Sequence, residues 1–519
     1  MVSSLLWLWL WLWLWLWLLP ATATAAALPS PHPEVTPPPS LPSPLGQRGL
    51  ISAAESYADG IVSGLGSDVS AYIASGVPQF FQALPTGAAV LSSLGIDDTD
   101  LAATPTQVLN LPPYGNWTAA GWNVRVHGNV YKMPNISEAK LDDLADAFLA
   151  GTAVKDLPPA QQSQARNLTA EIFVVQQRRV NVTVVFETIA GGEQGGDDDG
   201  GAVDAAGGAQ TIQLPGETTD EGDFGPWVVL ANTSSSSSGS GGFLVPGNET
   251  TRVQTLGMRA VGTDSGNATA YLVPPTGVTV VSDIDDILRV TKIWDPREGL
   301  LNSFVRPFVP WLDMPAVYSN WSASWEDMHF HYLTTTPEQV TRNYMDFIFK
   351  TYPPGSFDTR PLNFSDVSAT LSIRKFLLDR VFETFPLRKF ILVGDTSNSD
   401  VMKDYPQLTR DFPGKVLCIL LRNSSSTDAT DRFPYDTAGF AGLPQDQYMF
   451  FNVPDDLAGL DLAGGRCHNA SVRQNVTFGT QGLPFGLGTK SSAVPGRLGQ
   501  SSCVLGLGLL AVVHLFVFL

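Results

Sequence analysis

Asp283 and Asp285 stand two residues apart in Ser-Asp-Ile-Asp-Asp, directly after the apolar run Val-Thr-Val-Val at 278–281. Along an extended chain alternate side chains share a side, so the two carboxylates can work on one reacting group. One can attack phosphorus and become an aspartyl phosphate. The other can protonate the leaving alkoxide and then activate a water. Such a pair is too negative to receive a phosphate unaided. A divalent cation held by carboxylate oxygens neutralises it, and Mg²⁺ suits the task because it keeps several waters and shares the substrate's phosphate oxygens.

Further acidic ligands are expected at a second strand end, where Phe390-Ile-Leu-Val-Gly-Asp395 is followed by Asp400. Alone, an Asp-rich turn reads as local capping; two Asp-bearing strand ends in one unit are more specific. Between them His331-Tyr-Leu-Thr334-Thr-Thr-Pro337 offers a hydroxyl for a phosphate oxygen. Thr334 is the candidate, and Thr336 before Pro337 reads as the N-cap of the next helix. Arg374 and Lys375 open the helix before the Gly-Asp strand. Either can hold a phosphate, and a solvated helix face is the alternative for both.

The elements that must position these residues form a β/α alternation. Apolar runs at Val278–Ile284, His329–Leu333, Lys389–Val393 and Val416–Leu421 alternate with helical patterns at Pro337–Lys350, Ser372–Thr384 and Val401–Phe412. That order predicts an α/β unit on a parallel sheet with its site at the strand carboxyl ends. Upstream, Trp122–Val130, Thr169–Phe186 and Arg252–Val273 carry the alternation and β-branched residues of strands. The Gly/Asp-rich run 191–208 and the Ser/Gly run 234–242 interrupt them and are expected to be disordered loops. This β-rich region shows no chemistry of its own.

The motifs Ser-Asp-Ile-Asp-Asp, His-Tyr-Leu-Thr-Thr-Thr-Pro, Phe-Pro-Leu-Arg-Lys-Phe-Ile-Leu-Val-Gly-Asp and the Asp that follows occur in order over about 276–454. In this the segment resembles the actin-patch phosphatidate phosphatase family, fungal lipid phosphatases of the haloacid-dehalogenase superfamily. The resemblance implies a haloacid-dehalogenase-like Rossmannoid parallel sheet and Mg²⁺-dependent hydrolysis of phosphatidate to diacylglycerol. It implies Asp283 as nucleophile, Asp285 as acid/base, Thr334 as phosphate ligand, and Arg374 or Lys375 as the basic residue. Asp395 and Asp400 would be metal-side carboxylates, alongside Asp283 and Asp285. The sequence departs from the family pattern Asp-x-Asp-x-Thr at Ile287, where a hydroxyl that can brace the loop is missing. Val401-Met-Lys also follows Asp400 where Pro-Glu is expected. A soluble phosphomonoester as substrate, or a catalytically inactive cell-surface glycoprotein, are the alternative readings.

Both ends of the 519-residue chain read as targeting segments. The Leu/Trp run 5–19, followed by small residues, fits a signal-peptide core with an Ala-x-Ala cleavage site. The apolar stretch Cys503–Leu519, preceded by small and polar residues, fits a glycosylphosphatidylinositol signal or a membrane anchor. N-glycosylation sequons recur from Asn116 to Asn475, which agrees with the secretory pathway and a cell-surface or extracellular location. With Cys503 in the tail, Cys418 and Cys467 can pair as one disulfide or stay as buried thiols. The net charge of −19 opposes nucleic acid and electrostatic adhesion to anionic lipid. The expected partners are therefore phosphatidate or another phosphomonoester and, through the C-terminal anchor, a membrane surface.

The resulting layout is a signal peptide over 1–27, a Pro-rich linker over 28–46, a helical segment over 47–115 and a β-rich domain over 116–275. A phosphatase-like catalytic domain over 276–470, a linker over 471–500 and the hydrophobic C terminus over 501–519 complete it.

Overall fold

Six parallel strands form the sheet on which the acidic motifs lie: β10 (Val278–Ser282), β11 (Met328–Pro337), β12 (Ser356–Arg360), β13 (Lys389–Asp395), β14 (Val416–Arg422) and β16 (Tyr448–Phe451). The structure is a computed structural model describing residues 90–91, 94–96, 98–149, 153–188, 209–231, 244–362, 372–427, 433–474 and 477–482. The terminal segments, residues 47–89 of the expected helical segment, and both low-complexity runs lie outside these residues. Among the described residues no helix is long and apolar enough to cross a membrane.

Spatial order in the sheet is β12-β11-β10-β13-β14-β16, with Val280 facing Phe330 on one side and Ile391 on the other. The chain therefore starts in the middle, works outward to β12, and returns to the other side of β10 with β13. The crevice at the carboxyl ends of β10 and β13 is where such a sheet binds ligands. Burial on both faces explains the near-continuous apolar character of β10, β13 and β14.

Successive residues point to opposite faces, and the cores divide accordingly. Val280, Ile391 and Val393 pack with α4 (Pro296–Phe304), α5 (Met314–Ser324) and α6 (Glu338–Thr351). Val281, Leu392 and Leu421 pack with α7 (Ile373–Thr384) and α8 (Ser399–Asp411) through Leu377, Leu378, Val401 and Leu408. Each fully buried leucine contributes roughly 1.5–3 kcal/mol relative to exposure. Gly394 is required for the close approach of β13 to α8, because a Cβ there would stand 2.9 Å from Val401 Cγ1.

The upstream strands form a separate nine-stranded sheet from β1 (Thr106–Thr118) through β9 (Ala268–Val273), mostly antiparallel, in which β1 and β2 (Gly121–Lys132) make a long hairpin. Thr169–Ile172, expected as the start of a strand, instead ends a helix. In α3 (Pro159–Ile172) the buried Ala165, Thr169 and Ile172 follow helical spacing, and strand structure begins only after it, at β3 (Val175–Gln176) and then β4 (Asn181–Thr188); α1 (Asp98–Ala102) and α2 (Glu138–Phe148) precede it.

The two sheets meet around one buried carboxylate. Asp358 on β12 takes Arg125 Nη1 of β2 (Gly121–Lys132) at 2.6 Å and stands 3.1 Å from His127 Nε2 and 3.6 Å from His331 Nε2. Cys418 on β14 is disulfide-bonded to Cys467, with Cα atoms 5.5 Å apart. Closing that loop stabilises by on the order of 4 kcal/mol in the chain-entropy account. Asn135, Asn167, Asn181, Asn248, Asn267 and Asn320 are exposed, whereas the Asn116 amide donates inward to the Thr384 carbonyl at 3.1 Å.

Candidate active site

β10 stops being a strand at Ser282, but its pairing continues, because the Asp283 N–H donates to the Val393 carbonyl of β13 at 2.8 Å. That bond plants Asp283 in the crevice. Its Oδ1 accepts from the Ile284 N–H at 2.9 Å and its Oδ2 from Arg374 Nη2 at 3.0 Å. Burial pushes the Asp283 carboxyl up to about 6 against the opposing pull of Arg374, and Asp285 adds to the rise.

Arg374 is fully buried in the first turn of α7, whose N-cap Ser372 accepts from the Lys375 N–H at 3.0 Å. Its Nε and Nη1 make no hydrogen bond. Two donors are thus left beside Asp283. Lys375 turns the other way, binding Asp379 at 2.6 Å and Asp411 at 2.9 Å. Of the two basic candidates, Arg374 reaches Asp283.

Asp285 is held on one side. Its Oδ1 accepts from Arg289 Nε at 3.0 Å, Arg289 Nη2 at 2.7 Å and Thr291 Oγ1 at 2.9 Å. Its Oδ2 is left with Thr336 Oγ1 at 3.4 Å. Thr336 therefore serves the site. It is the last threonine of β11, and Pro337 takes the N-cap position of α6 without a side-chain bond. Thr334 Oγ1 accepts from the Thr336 N–H at 3.1 Å, which leaves its own O–H to donate. A single pocket is lined by Asp283, Asp285, Thr334, Thr336, Arg374 and Asn398 among others.

Asp286 builds the loop. At φ 61° it occupies the left-handed region that Asp tolerates better than most side chains. Its carboxylate accepts from the N–H groups of Thr291, Lys292 and Ile293 at 3.0, 2.8 and 3.1 Å, and Arg422 donates to its carbonyl. Burial raises the Asp286 carboxyl to about 6, with Arg422 opposing.

Asp395 ends β13 fully buried. Its Oδ2 accepts from the Ser397 N–H at 3.0 Å and Ser424 Oγ at 2.7 Å, while Oδ1 has no hydrogen bond. Burial again lifts the carboxyl to about 6. Asp400 sits half-buried in the first turn of α8, where the Asn398 side chain accepts its N–H at 3.0 Å. It lines a neighbouring recess with Thr396, Ser397, Lys403 and Arg410.

The residues 278–423 match the family model described as Phosphatidate phosphatase APP1, catalytic domain. Over this segment the chain is similar to the APP1 catalytic domain. Over 164 residues the chain is 27% identical to the Phosphatidate phosphatase APP1 of Saccharomyces cerevisiae, an alignment covering 30% of this chain and 28% of the yeast protein. The chain thus spans under a third of that relative's length in the aligned part. Asp283, Asp285, Thr334, Arg374, Asp395 and Asp400 all fall inside the APP1 catalytic segment; the nine-stranded sheet, β16 and the buttress Ser424 fall outside it.

Among the described residues, no group of three or more His, Cys, Asp or Glu side chains stands together as a metal site. Arg289, Thr291 and Thr336 occupy Asp285, and Asp400 faces the adjoining recess. Asp283 and Asp395 remain, at the ends of the two central strands, and Asp395 Oδ1, which makes no hydrogen bond, could ligate a cation. Mg²⁺ commonly takes only one or two carboxylates, with water and phosphate oxygens completing its shell, so this reduced set still fits it.

Arg289, Thr291, Arg422 and Ser424 were not legible as site residues. Only Arg289 carried a signal, four positions after Asp285 and opposite in charge.

Proposed function

We propose that this chain is a Mg²⁺-dependent phosphatidate phosphatase of the haloacid-dehalogenase type, releasing diacylglycerol and inorganic phosphate. The carrying observation is Arg374, which binds Asp283 through Nη2 and keeps Nε and Nη1 unpaired in a pocket shared with Asp285 and Thr334. The yeast relative's printed activity supports the lipid substrate. The central position of β10 and β13 supports the superfamily reading.

In the proposed reaction an oxygen of Asp283 attacks phosphorus while the bond to the lipid alkoxide breaks. Asp285 gives that alkoxide its proton, and diacylglycerol leaves. A water then loses a proton to Asp285 and attacks the aspartyl phosphate at phosphorus, which frees phosphate and restores the Asp283 carboxylate. Arg374 and the Thr334 hydroxyl hold the phosphoryl oxygens throughout. Mg²⁺, held by Asp283 and Asp395, would neutralise the carboxylates and polarise the phosphoryl group.

Secretory targeting, N-glycans on the exposed sequons and C-terminal membrane attachment belong to the same proposal, supported by the end segments and the Cys418–Cys467 bond. The test is phosphate release from phosphatidate vesicles by purified protein with and without Mg²⁺. Release that requires Mg²⁺ and vanishes in Asp283→Asn is expected. No release from phosphatidate overturns the reading.

A further inference from the structure

Beyond the carboxyl ends of the parallel strands, at the same end as the aspartates, apolar side chains stand in water. Leu312 is 57% exposed, Val309 47% and Val453 41%, while Trp311 between the first two is buried. Leu312 also lies at φ 47°, a backbone region costly for a bulky side chain. The loop thus accepts strain to hold a leucine outward.

The segment is tied to the catalytic loop at several points. Val290 N–H donates to the Val309 carbonyl at 3.0 Å and Trp311 N–H to the Leu288 carbonyl at 3.4 Å, and Pro310 pairs with Arg289, which holds Asp285. The Trp311 ring lies 4.2 Å from the Arg422 guanidinium, which binds the Asp286 carbonyl, and packs on Phe451, two residues before Val453. Whatever touches Leu312 therefore touches the support of both Asp285 and Asp286.

The exit of the chain points the same way. The last described strand, β17 (Thr480–Gln481), pairs with β15 (Tyr435–Asp436) beside the Asp400 recess. Gly482 packs so closely on Phe433 and Ser425 that a Cβ would collide with both. Ser425 adjoins Ser424, the buttress of Asp395. The described chain ends here at Gly482, and the sequence beyond it includes the apolar run 503–519.

We propose that Val309, Leu312 and Val453 are the contact by which the catalytic end rests on a lipid bilayer, so that phosphatidate is taken at the membrane surface. The inference builds on the phosphatidate reading above. A net charge of −19 opposes electrostatic attraction to an anionic surface, so the contact has to be apolar. A tail tethered in the same bilayer would hold this end toward it.

The test uses full-length protein, Leu312→Gly, the double variant Val309→Ser/Leu312→Ser, and Asp283→Asn. Leu312→Gly relieves the positive φ, so it keeps or raises Tm and separates contact from folding. Binding is read by co-sedimentation with phosphatidylcholine vesicles with and without phosphatidate, and activity on vesicular phosphatidate and on a short-chain phosphatidate kept monomeric. Wild type and Asp283→Asn are expected to bind vesicles, and both surface variants to lose about tenfold or more in binding and vesicular activity. Activity on the monomeric substrate stays unchanged. Undiminished vesicle binding by the variants, an equal loss on the monomer, or self-association of the wild type in place of vesicle binding overturns the proposal. Vesicle binding that depends on Leu312 without phosphatidate hydrolysis would sink the substrate assignment and keep the contact.

Discussion

Thr291 supplies the hydroxyl that the family pattern places at position 287. Ile287 is fully buried in the apolar core with Leu288, while Thr291 Oγ1 reaches Asp285 Oδ1 at 2.9 Å from the far side of the turn. The missing threonine is therefore no sign of a lost activity. Thr291→Val keeps the backbone bond to Asp286 and should lower kcat by roughly tenfold with little change in Tm, since only an orienting bond to Asp285, the proposed acid/base, is removed. Ile287→Thr should leave kcat no higher and cost about 1–3 kcal/mol, because it buries a hydroxyl without a partner. Activity assays and urea denaturation of both variants check this pair; a gain of activity in Ile287→Thr would refute it. The basic residues divide as sharply. Arg374→Ala strips Asp283 of its buried partner and two phosphate donors, for an expected loss of about 10²–10³ in kcat. Lys375→Ala breaks only partly exposed ion pairs and should stay within about twofold in kcat and 1 kcal/mol in stability.

At the scale of elements, two helix N-termini aim the site. Ser372 caps α7 two residues before Arg374 and also donates to Asp404 of α8 at 2.6 Å, so it fixes both helices against each other. Ser372→Ala should cost about 1 kcal/mol in urea unfolding and reduce kcat by more than that modest loss implies, because Arg374 moves with the first turn. Wild-type kcat in this variant would show that α7 is held by its apolar face alone. The strands bearing the aspartates were legible because burial on both faces writes a continuous apolar run, as in 278–281 and 390–393. Short elements such as β12 (Ser-Phe-Asp-Thr-Arg) carry no such run. Thr169–Ile172 misled because threonine and isoleucine favour strands while their spacing served a helix. The aspartates of the pocket could be read from motifs, but their supports could not. Arg289, Thr336 and Ser424 acquire their roles only through tertiary contacts, and the same holds for Arg125 and His127 on a sheet that showed no chemistry.

At the scale of the whole molecule, the nine-stranded sheet is joined to the catalytic sheet through charges that cannot reach water. Burial would raise the Asp358 carboxyl, but the charge of Arg125, helped by the His127 hydrogen bond, overrides it and holds it well below the usual range. From Asp358 the contact runs on to the site, since its neighbour Thr359 donates to the Thr336 carbonyl and Thr336 Oγ1 to Asp285. The histidines here behave oppositely to a surface ion pair. Burial brings His331 down to about 4 and also lowers His127 and His329, so all three fold neutral. A histidine whose folded pKa is depressed refuses a proton that the unfolded chain accepts below about 6.5. Its stability contribution is complete above that pH and declines from about 6.5 down to about 4. Asp358, depressed for a carboxylate, starts to lose its contribution only below about 4. Stability to urea should therefore fall on acidification between pH 6.5 and 4, by about 1.4 kcal/mol per pH unit for each histidine titrating in the unfolded state alone. His331→Phe should remove one such increment from the slope. Asp358→Asn leaves Arg125 buried beside a neutral partner and should cost about 3–5 kcal/mol at pH 7. Urea titrations across that pH range with both variants decide the matter, and a pH-independent midpoint would show that the histidines already bind protons in the folded state.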